Sequence, residues 1–336
     1  MDIAELGDSI LKGDRRALSR AITLVESRRA DHRAQAAELL DRLAVAGRQA
    51  LRVGLSGTPG VGKSTFIESF GMMLIGRGLK VAVLAVDPSS ARSGGSILGD
   101  KTRMDRLARE RSAFIRPSPS QSHLGGVARR TREAVALCEA AGFVFVLIEA
   151  VGVGQSETVV AEMSDLFLLL LAPAGGDELQ GVKRGIMETA DIILVNKADG
   201  PLKPVATRTC ADYAGALRLL RKRPQDAPGF PKAITASALH EEGLGAVWDE
   251  IRALASWRDD ERRVEAEIDL QTALGIALIA YKGWAAPEVG AAYERARKLC
   301  GKRSDPTRVF QVFYGLWVFY LNTRVHFNEV KLTIFV

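Results

Sequence analysis

Residues 51–65, LRVGLSGTPGVGKST, constrain the fold of this 336-residue chain more than any other stretch. A short apolar run around Val53 and Leu55 leads into Gly57-Thr58-Pro59-Gly60-Val61-Gly62-Lys63-Ser64, followed by Thr65, and matches G-x-x-x-x-G-K-[ST] at every fixed position. Glycines at these places let the backbone close into a concave nest whose N–H groups converge on phosphate oxygens. A helix starting near Lys63 would aim its positive end at the same phosphates. Lys63 could reach the β- and γ-phosphates, and the Ser64 hydroxyl could ligate Mg²⁺. The stretch therefore predicts a nucleotide-binding α/β protein.

The flanking sequence supplies the rest of such a fold. Apolar runs at 53–55, 81–86, 143–148, 166–171, 192–195 and 233–235 alternate with helical patterns at 63–75, 100–111, 125–141, 179–189, 207–220 and 243–256. Near-continuous apolar strands separated by helices predict a mostly parallel sheet covered on both faces, a P-loop NTPase architecture. Residues 1–47 read as two amphipathic helices, with Asp14 as an N-cap and Leu18, Ala21, Ile22 and Val25 at i, i+3, i+4 and i+7. Three segments follow: an N-terminal helical extension (1–47), the nucleotide-binding domain (48–258) and a C-terminal helical segment (259–336).

Several function classes are disfavoured. The net charge of +6 comes from Lys and Arg interspersed with Asp and Glu, which reads as a solvated surface rather than a nucleic-acid face. Cys138, Cys210 and Cys300 are far apart, which fits neither a zinc site nor a disulfide framework and points to a reducing compartment. The acidic start MDIAELGDSILKGD lacks the apolar core of a targeting peptide, and no run reads as a membrane span. A cytoplasmic location is the expectation.

In a parallel sheet, ligands sit beyond the carboxyl ends of the strands, so the polar residues there are the candidates. Asn196-Lys197-Ala198-Asp199 is the N-K-x-D element that recognises guanine. Its carboxylate, Asp199, can accept from the base N1–H and exocyclic amine together, a donor pair that adenine lacks. Asn196 would brace the loop, and the Lys197 stem would lie across the base. Ser237-Ala238-Leu239 fits the loop whose backbone N–H meets the guanine oxygen. Glu149, with Gly152 three residues on, stands where a metal-holding acid and a γ-phosphate-sensing glycine belong. Val153 occupies the place of the usual water-positioning glutamine, so slow intrinsic hydrolysis is expected, with Gln155 or Glu157 as substitutes. Asp87 is a metal ligand or a turn cap before Pro88. Asp100 belongs to a segment that would order on Mg²⁺ and GTP. Lys63, Asp100, Glu149 and Gln155 are thus the catalytic candidates, and Ser64, Asp87, Asp100 and Glu149 the metal candidates.

Longer strings carry a resemblance. VDPSSARSGGSILGDKTRM, FIRPSPSQSHLGGVARRTRE, EAVGVGQSE, GDELQGVKRGIMETADIILVNKAD and the leading LKGDRRALSRAITLVESRR are similar to the MeaB/ArgK-type GTPases over about residues 9–258. The resemblance implies a SIMIBI-class GTPase that serves as chaperone to an adenosylcobalamin-dependent acyl-CoA mutase of the methylmalonyl-CoA mutase type. In that role it would gate cofactor loading, protect the mutase and act as a homodimer. The same resemblance matches Ser64, Asp87, Asp100 and Glu149 to the family's Mg²⁺ and switch positions. Ala150 stands where the family commonly has Thr, and the likeness fades after about Arg263. Residues 264–321 instead resemble tetratricopeptide-type helices, with Ala273, Leu274, Ala277 and Leu278 on one helix, Tyr293, Ala296 and Leu299 on the next, and Pro306 starting a third. That change of pattern reads as a fusion or a truncation, and residues 322–336 fit neither pattern. It motivates an alternative function, a GTP-dependent interaction module whose C-terminal helices bind a signalling partner.

Overall fold

The computed structural model describes residues 2–86, 104–116, 124–150, 156–173, 184–223, 226–301 and 304–323. Asp87, Asp100, Gly152 and Gln155 lie outside the described residues. The chain divides into two compact units, Met1–Ala255 and Ser256–Val336.

The first unit is built on seven parallel strands: β1 (Leu51–Gly57), β2 (Val81–Val86), β3 (Ala113–Arg116), β4 (Phe145–Ala150), β5 (Leu166–Leu171), β6 (Ile192–Val195) and β7 (Lys232–Thr235). Their order across the sheet is β3-β2-β4-β1-β5-β6-β7. Strands β4, β5 and β6 are buried along their whole length, as their unbroken apolar runs require of central strands with both faces covered, whereas every residue of the edge strand β7 is half-buried. The reversal of strand order beside β1 opens a crevice at its carboxyl end, between the connections that leave β1 and its neighbours.

Helices α1 (Ile3–Leu11), α2 (Arg15–Glu26) and α3 (Ala30–Ala44) share one apolar core with α6 (Leu124–Ala140) and one sheet face, through Ile10, Leu18, Ile22, Leu39, Leu137, Val146 and Ile148. Buried Glu139, at the end of α6, accepts from the Ala50 N–H at 3.1 Å and from the Arg52 guanidinium at 2.9–3.0 Å, which fixes where the chain enters β1. Another apolar group involves α4 (Lys63–Gly76), where Phe66 and Phe70 stack with centroids 5.0 Å apart, and Trp248 meets Phe145 edge-on at 5.6 Å. Each such buried ring contributes about 2–3 kcal/mol. The remaining helices of this unit are α5 (Asp105–Arg109), α7 (Ser156–Met163), α8 (Arg184–Thr189) and α9 (Lys203–Leu219).

Three local expectations are corrected. The N-terminal extension holds three helices, not two: α1 is capped by Asp2, whose carboxylate accepts from the Ala4 N–H at 2.8 Å. Asp14 does cap α2, accepting from the Arg16 and Ala17 N–H groups. Strand β3 went unforeseen, because its apolar run is only Ala113–Ile115 and its register comes from pairing with β2 rather than from its own pattern. Helix α10 runs Leu244–Lys282 rather than stopping near 256, since no Gly or Pro occurs between Gly245 and Gly275.

In the second unit the later part of α10 packs with α11 (Pro287–Leu299) and α12 (Pro306–Thr323). Ile268, Ala296 and Val312 form one buried cluster, and Val289, Tyr293 and Leu316 another. Of the residues placed on the first of these helices, Ala273, Leu274 and Ala277 are exposed, while Leu278 turns inward together with Ile268 and Gly275. The reason is a close approach. A Cβ at Gly275 would lie 2.5 Å from the Tyr293 ring, so only a residue without a side chain lets that ring reach α10.

Candidate nucleotide site

Strand β1 ends at Gly57 and α4 begins at Lys63, with residues 58–62 forming the connecting loop. Gly62 precedes the helix with φ of +91°, and a Cβ there would sit 2.7 Å from Asn196 Nδ2. A glycine is required on both counts. The first-turn N–H groups of α4 have no intrahelical acceptor, so this end of the loop is a ready anion site. Lys63 turns back over the loop and donates to the Gly57 carbonyl at 2.6 Å. Burial pushes the Lys63 ammonium below its usual range, opposed by Glu149 and then by Glu157.

Glu149 is the penultimate residue of β4, directly across from Leu55 of β1, and is buried. It was expected just past its strand; it lies within it, because β4 extends to Ala150. Ser64 and Thr65 occupy the first turn of α4, half-buried.

The second half of the site is a hydrogen-bonded frame joining three loops. Asn196, 1% exposed, follows β6; its Nδ2 donates to the Val61 carbonyl at 2.9 Å while its Oδ1 accepts from the Ala238 N–H at 2.9 Å. One side chain thus ties the 57–62 loop to the 237–239 loop. Lys197, with φ of +57°, donates from Nζ to the Gly60 carbonyl at 2.7 Å, a second strut to the same loop. The Ser237 hydroxyl donates to Asp199 Oδ2 at 2.5 Å and accepts from the His240 N–H at 3.2 Å. His240 Nε2 stands 3.9 Å from Asp199 Oδ1. Antiparallel bonds between Ser237 and Glu242, 2.9 and 3.0 Å long, close the loop behind it.

The structure therefore brings Gly57–Thr65, Asn196, Lys197, Asp199, Ser237 and Ala238 into one hydrogen-bonded assembly, with Glu149 on the strand beside β1. Leu239 differs: it is 72% exposed. The Ala238 N–H is engaged by Asn196 and the His240 N–H by Ser237, which leaves the Leu239 N–H of that loop without a partner among the described residues. Sequence reasoning missed Ser56, a buried hydroxyl in β1 that donates to Glu157 Oε1 at 2.9 Å. A polar residue inside an apolar strand, immediately before the first loop glycine, was the available signal.

Among the described residues no group of three or more His, Cys, Asp and Glu side chains is arranged to hold a metal ion. Among them, too, no helix is long and apolar enough to cross a membrane.

Comparison with known proteins agrees with this geometry. The family described as methylmalonyl-CoA mutase-associated GTPase MeaB matches residues 18–291. That match runs through α10 and into α11, beyond the point near Arg263 where the resemblance was expected to fade. A putative GTPase of Caulobacter vibrioides is 58% identical over 252 residues, covering 75% of this chain and 76% of the relative. The GTPase ArgK of Escherichia coli is 51% identical over 251 residues, covering 74% and 75%. The mouse protein named methylmalonic aciduria type A homolog, mitochondrial, is 52% identical over 260 residues, or 74% of this chain and 62% of that protein. Among solved structures, a LAO/AO transport system kinase superimposes with a TM-score of 0.61 at 34% identity, covering 88% of this chain and 96% of the other. The chain belongs to the methylmalonyl-CoA mutase-associated GTPase MeaB family and is a P-loop GTPase.

Proposed function

We propose that this GTPase is a guanine-nucleotide switch acting on an adenosylcobalamin-dependent mutase of the methylmalonyl-CoA mutase type, gating cofactor loading and guarding the loaded enzyme. The observation that carries the guanine reading is the Asn196 bridge, which sets Asp199 and the phosphate loop in one rigid frame. The mutase partner is supported by the family's description and by the mitochondrial relative's name. A cytoplasmic setting and a homodimer complete this reading.

In the bound state, the N–H groups of residues 58–65 cradle the phosphates, and Lys63 exchanges the Gly57 carbonyl for the β- and γ-phosphate oxygens. Asp199 accepts from the guanine N1–H and amine, the Leu239 N–H donates to the base oxygen, and the Lys197 stem covers the base. The donor chemistry near the loop, a Ser64 hydroxyl and a Glu149 carboxylate, suits Mg²⁺, a hard cation that takes oxygen ligands. Mg²⁺ would neutralise phosphate charge there, with Asp87 and Asp100 as further ligands. Gln155 would orient the attacking water and Gly152 would sense the γ-phosphate. With no glutamine directly after Gly152, turnover by the chain alone is slow.

The test is GTP turnover by the full chain, with and without purified adenosylcobalamin-dependent methylmalonyl-CoA mutase. The proposal requires stimulation by the mutase; an unchanged rate would remove the partner and leave the GTPase.

A second reading is favoured by α12. Phe310, Tyr314 and Trp317 form an exposed ladder with successive ring centroids 6.0 Å apart, a face suited to a further helix. A signalling partner bound there would be lost with Trp317→Ser while GTP turnover stayed intact.

A further inference from the structure

Ser56 and Glu157 form a buried polar pair; Glu157 stood above only as an alternative to Gln155 for positioning water, a role its contact with Ser56 does not use. Ser56 is fully buried and Glu157 4% exposed, and the Ser56 hydroxyl holds Glu157 Oε1 at 2.9 Å. The other carboxylate oxygen, Oε2, is buried with no hydrogen-bond partner among the described residues. A buried carboxylate with half its acceptor capacity unmet is costly, and it is kept where its charge acts on something nearby.

Two features of the chain path define its surroundings. Ser56 is bonded to Gly57, whose carbonyl receives the Lys63 ammonium at 2.6 Å, so the pair adjoins the first residue of the phosphate loop. Glu157 is also the second residue of α7, the helix that follows the Glu149–Gln155 stretch. Lys63 therefore feels two buried carboxylates, Glu149 and Glu157, which both oppose the effect of its burial. Phosphates arriving at the loop meet Glu157 as a like charge in a region of low dielectric.

We propose that Glu157 is a positioning residue acting through Lys63: its buried charge holds the ammonium on the Gly57 carbonyl when the site is empty and weakens phosphate binding, so that bound nucleotide can leave. The proposal rests on the reading of residues 57–65 as the phosphate site. It assigns to a carboxylate outside the nucleotide contacts the setting of affinity rather than of chemistry. A purely structural role, pinning α7 to β1, makes a different prediction, because Glu157→Gln keeps the acceptor for Ser56 and removes only the charge.

The experiment titrates the full chain with N-methylanthraniloyl-GDP near neutral pH and measures KM and kcat for GTP, for the parent, Glu157→Gln and Ser56→Ala. Glu157→Gln is expected to bind the labelled GDP about five- to tenfold more tightly, with KM for GTP falling by a similar factor. Ser56→Ala keeps the acid and removes its hydrogen bond to β1, so a role in pinning α7 would be lost there and kept in Glu157→Gln. Tighter binding in Glu157→Gln, not matched by Ser56→Ala, supports the proposal. No shift or weaker binding in Glu157→Gln, or equal tightening in both, overturns it. Should Glu157→Gln not fold, Glu157→Met decides in its place: tighter binding supports the proposal, and unchanged or weaker binding overturns it. Failure of the parent chain to bind the labelled GDP saturably would overturn the phosphate-site reading itself, and this proposal with it.

Discussion

The two ends of the candidate site are built on opposite principles. At the base end every important polar group has a protein partner: Asn196 uses both ends of its amide, Asp199 accepts from Ser237, and Lys197 is anchored on Gly60. At the phosphate end a half-buried ammonium is parked on a carbonyl beside two buried carboxylates, one with an unpartnered oxygen. The first arrangement is preorganised and costs little to occupy; the second must rearrange when phosphate enters. The difference teaches how such a switch divides its labour. On the proposed reading, the identity of the base is read by a fixed frame, while the state of the phosphates is read by groups free to change partners.

Substitutions at each end should separate these principles. Lys63→Ala removes the cation seated on the Gly57 carbonyl and should cost more than about a thousandfold in GDP affinity, on the order of 4 kcal/mol, measured by the same fluorescence titration. Asp199→Asn replaces an acceptor by a donor opposite the guanine amine. It should lose about a hundred- to a thousandfold for GDP and recover binding of xanthosine diphosphate. Asn196→Ala leaves the Val61 carbonyl and the Ala238 N–H unpaired and loosens two loops at once. Its expected cost is about 1–3 kcal/mol, or roughly ten- to a hundredfold, for GDP and xanthosine diphosphate alike, because it attacks the frame and not the reader. Gly275→Ala is the control outside the site. It forces a Cβ against the Tyr293 ring and should destabilise by about 1–3 kcal/mol in thermal melts while leaving GDP affinity unchanged.

What could be read from sequence follows the same division. The 57–65 loop and residues 196–199 were legible because their chemistry is contiguous and each follows an apolar strand. The sheet was legible for a similar reason: six of its seven strands were expected from apolar runs, and four of those, in β2, β4, β5 and β6, are long enough to need burial. Strand β3 escaped because three apolar residues carry no period, and only its pairing with β2 makes a strand of them. The length of α10 escaped because residues 257–267 are charged on every side, so helical continuity there rests on the absence of breakers and not on amphipathicity. The inward position of Gly275 escaped because a glycine was not counted as a packing residue. Small residues face inward where a ring needs room, and an apolar-residue pattern gives them no weight. The Ser56–Glu157 pair joins residues far apart in the chain, and no local pattern announces such a contact.

The measurement that tests the central claim most directly is competition at the nucleotide site of the unmodified full chain. Labelled GDP is bound first, then displaced by unlabelled GDP or by ADP. The account predicts displacement by GDP and at least about a hundredfold weaker displacement by ADP, since adenine offers Asp199 no donor pair and leaves that buried frame unpaired. Equal displacement by the two would contradict it: Asp199 and its loop would then not be reading guanine at all.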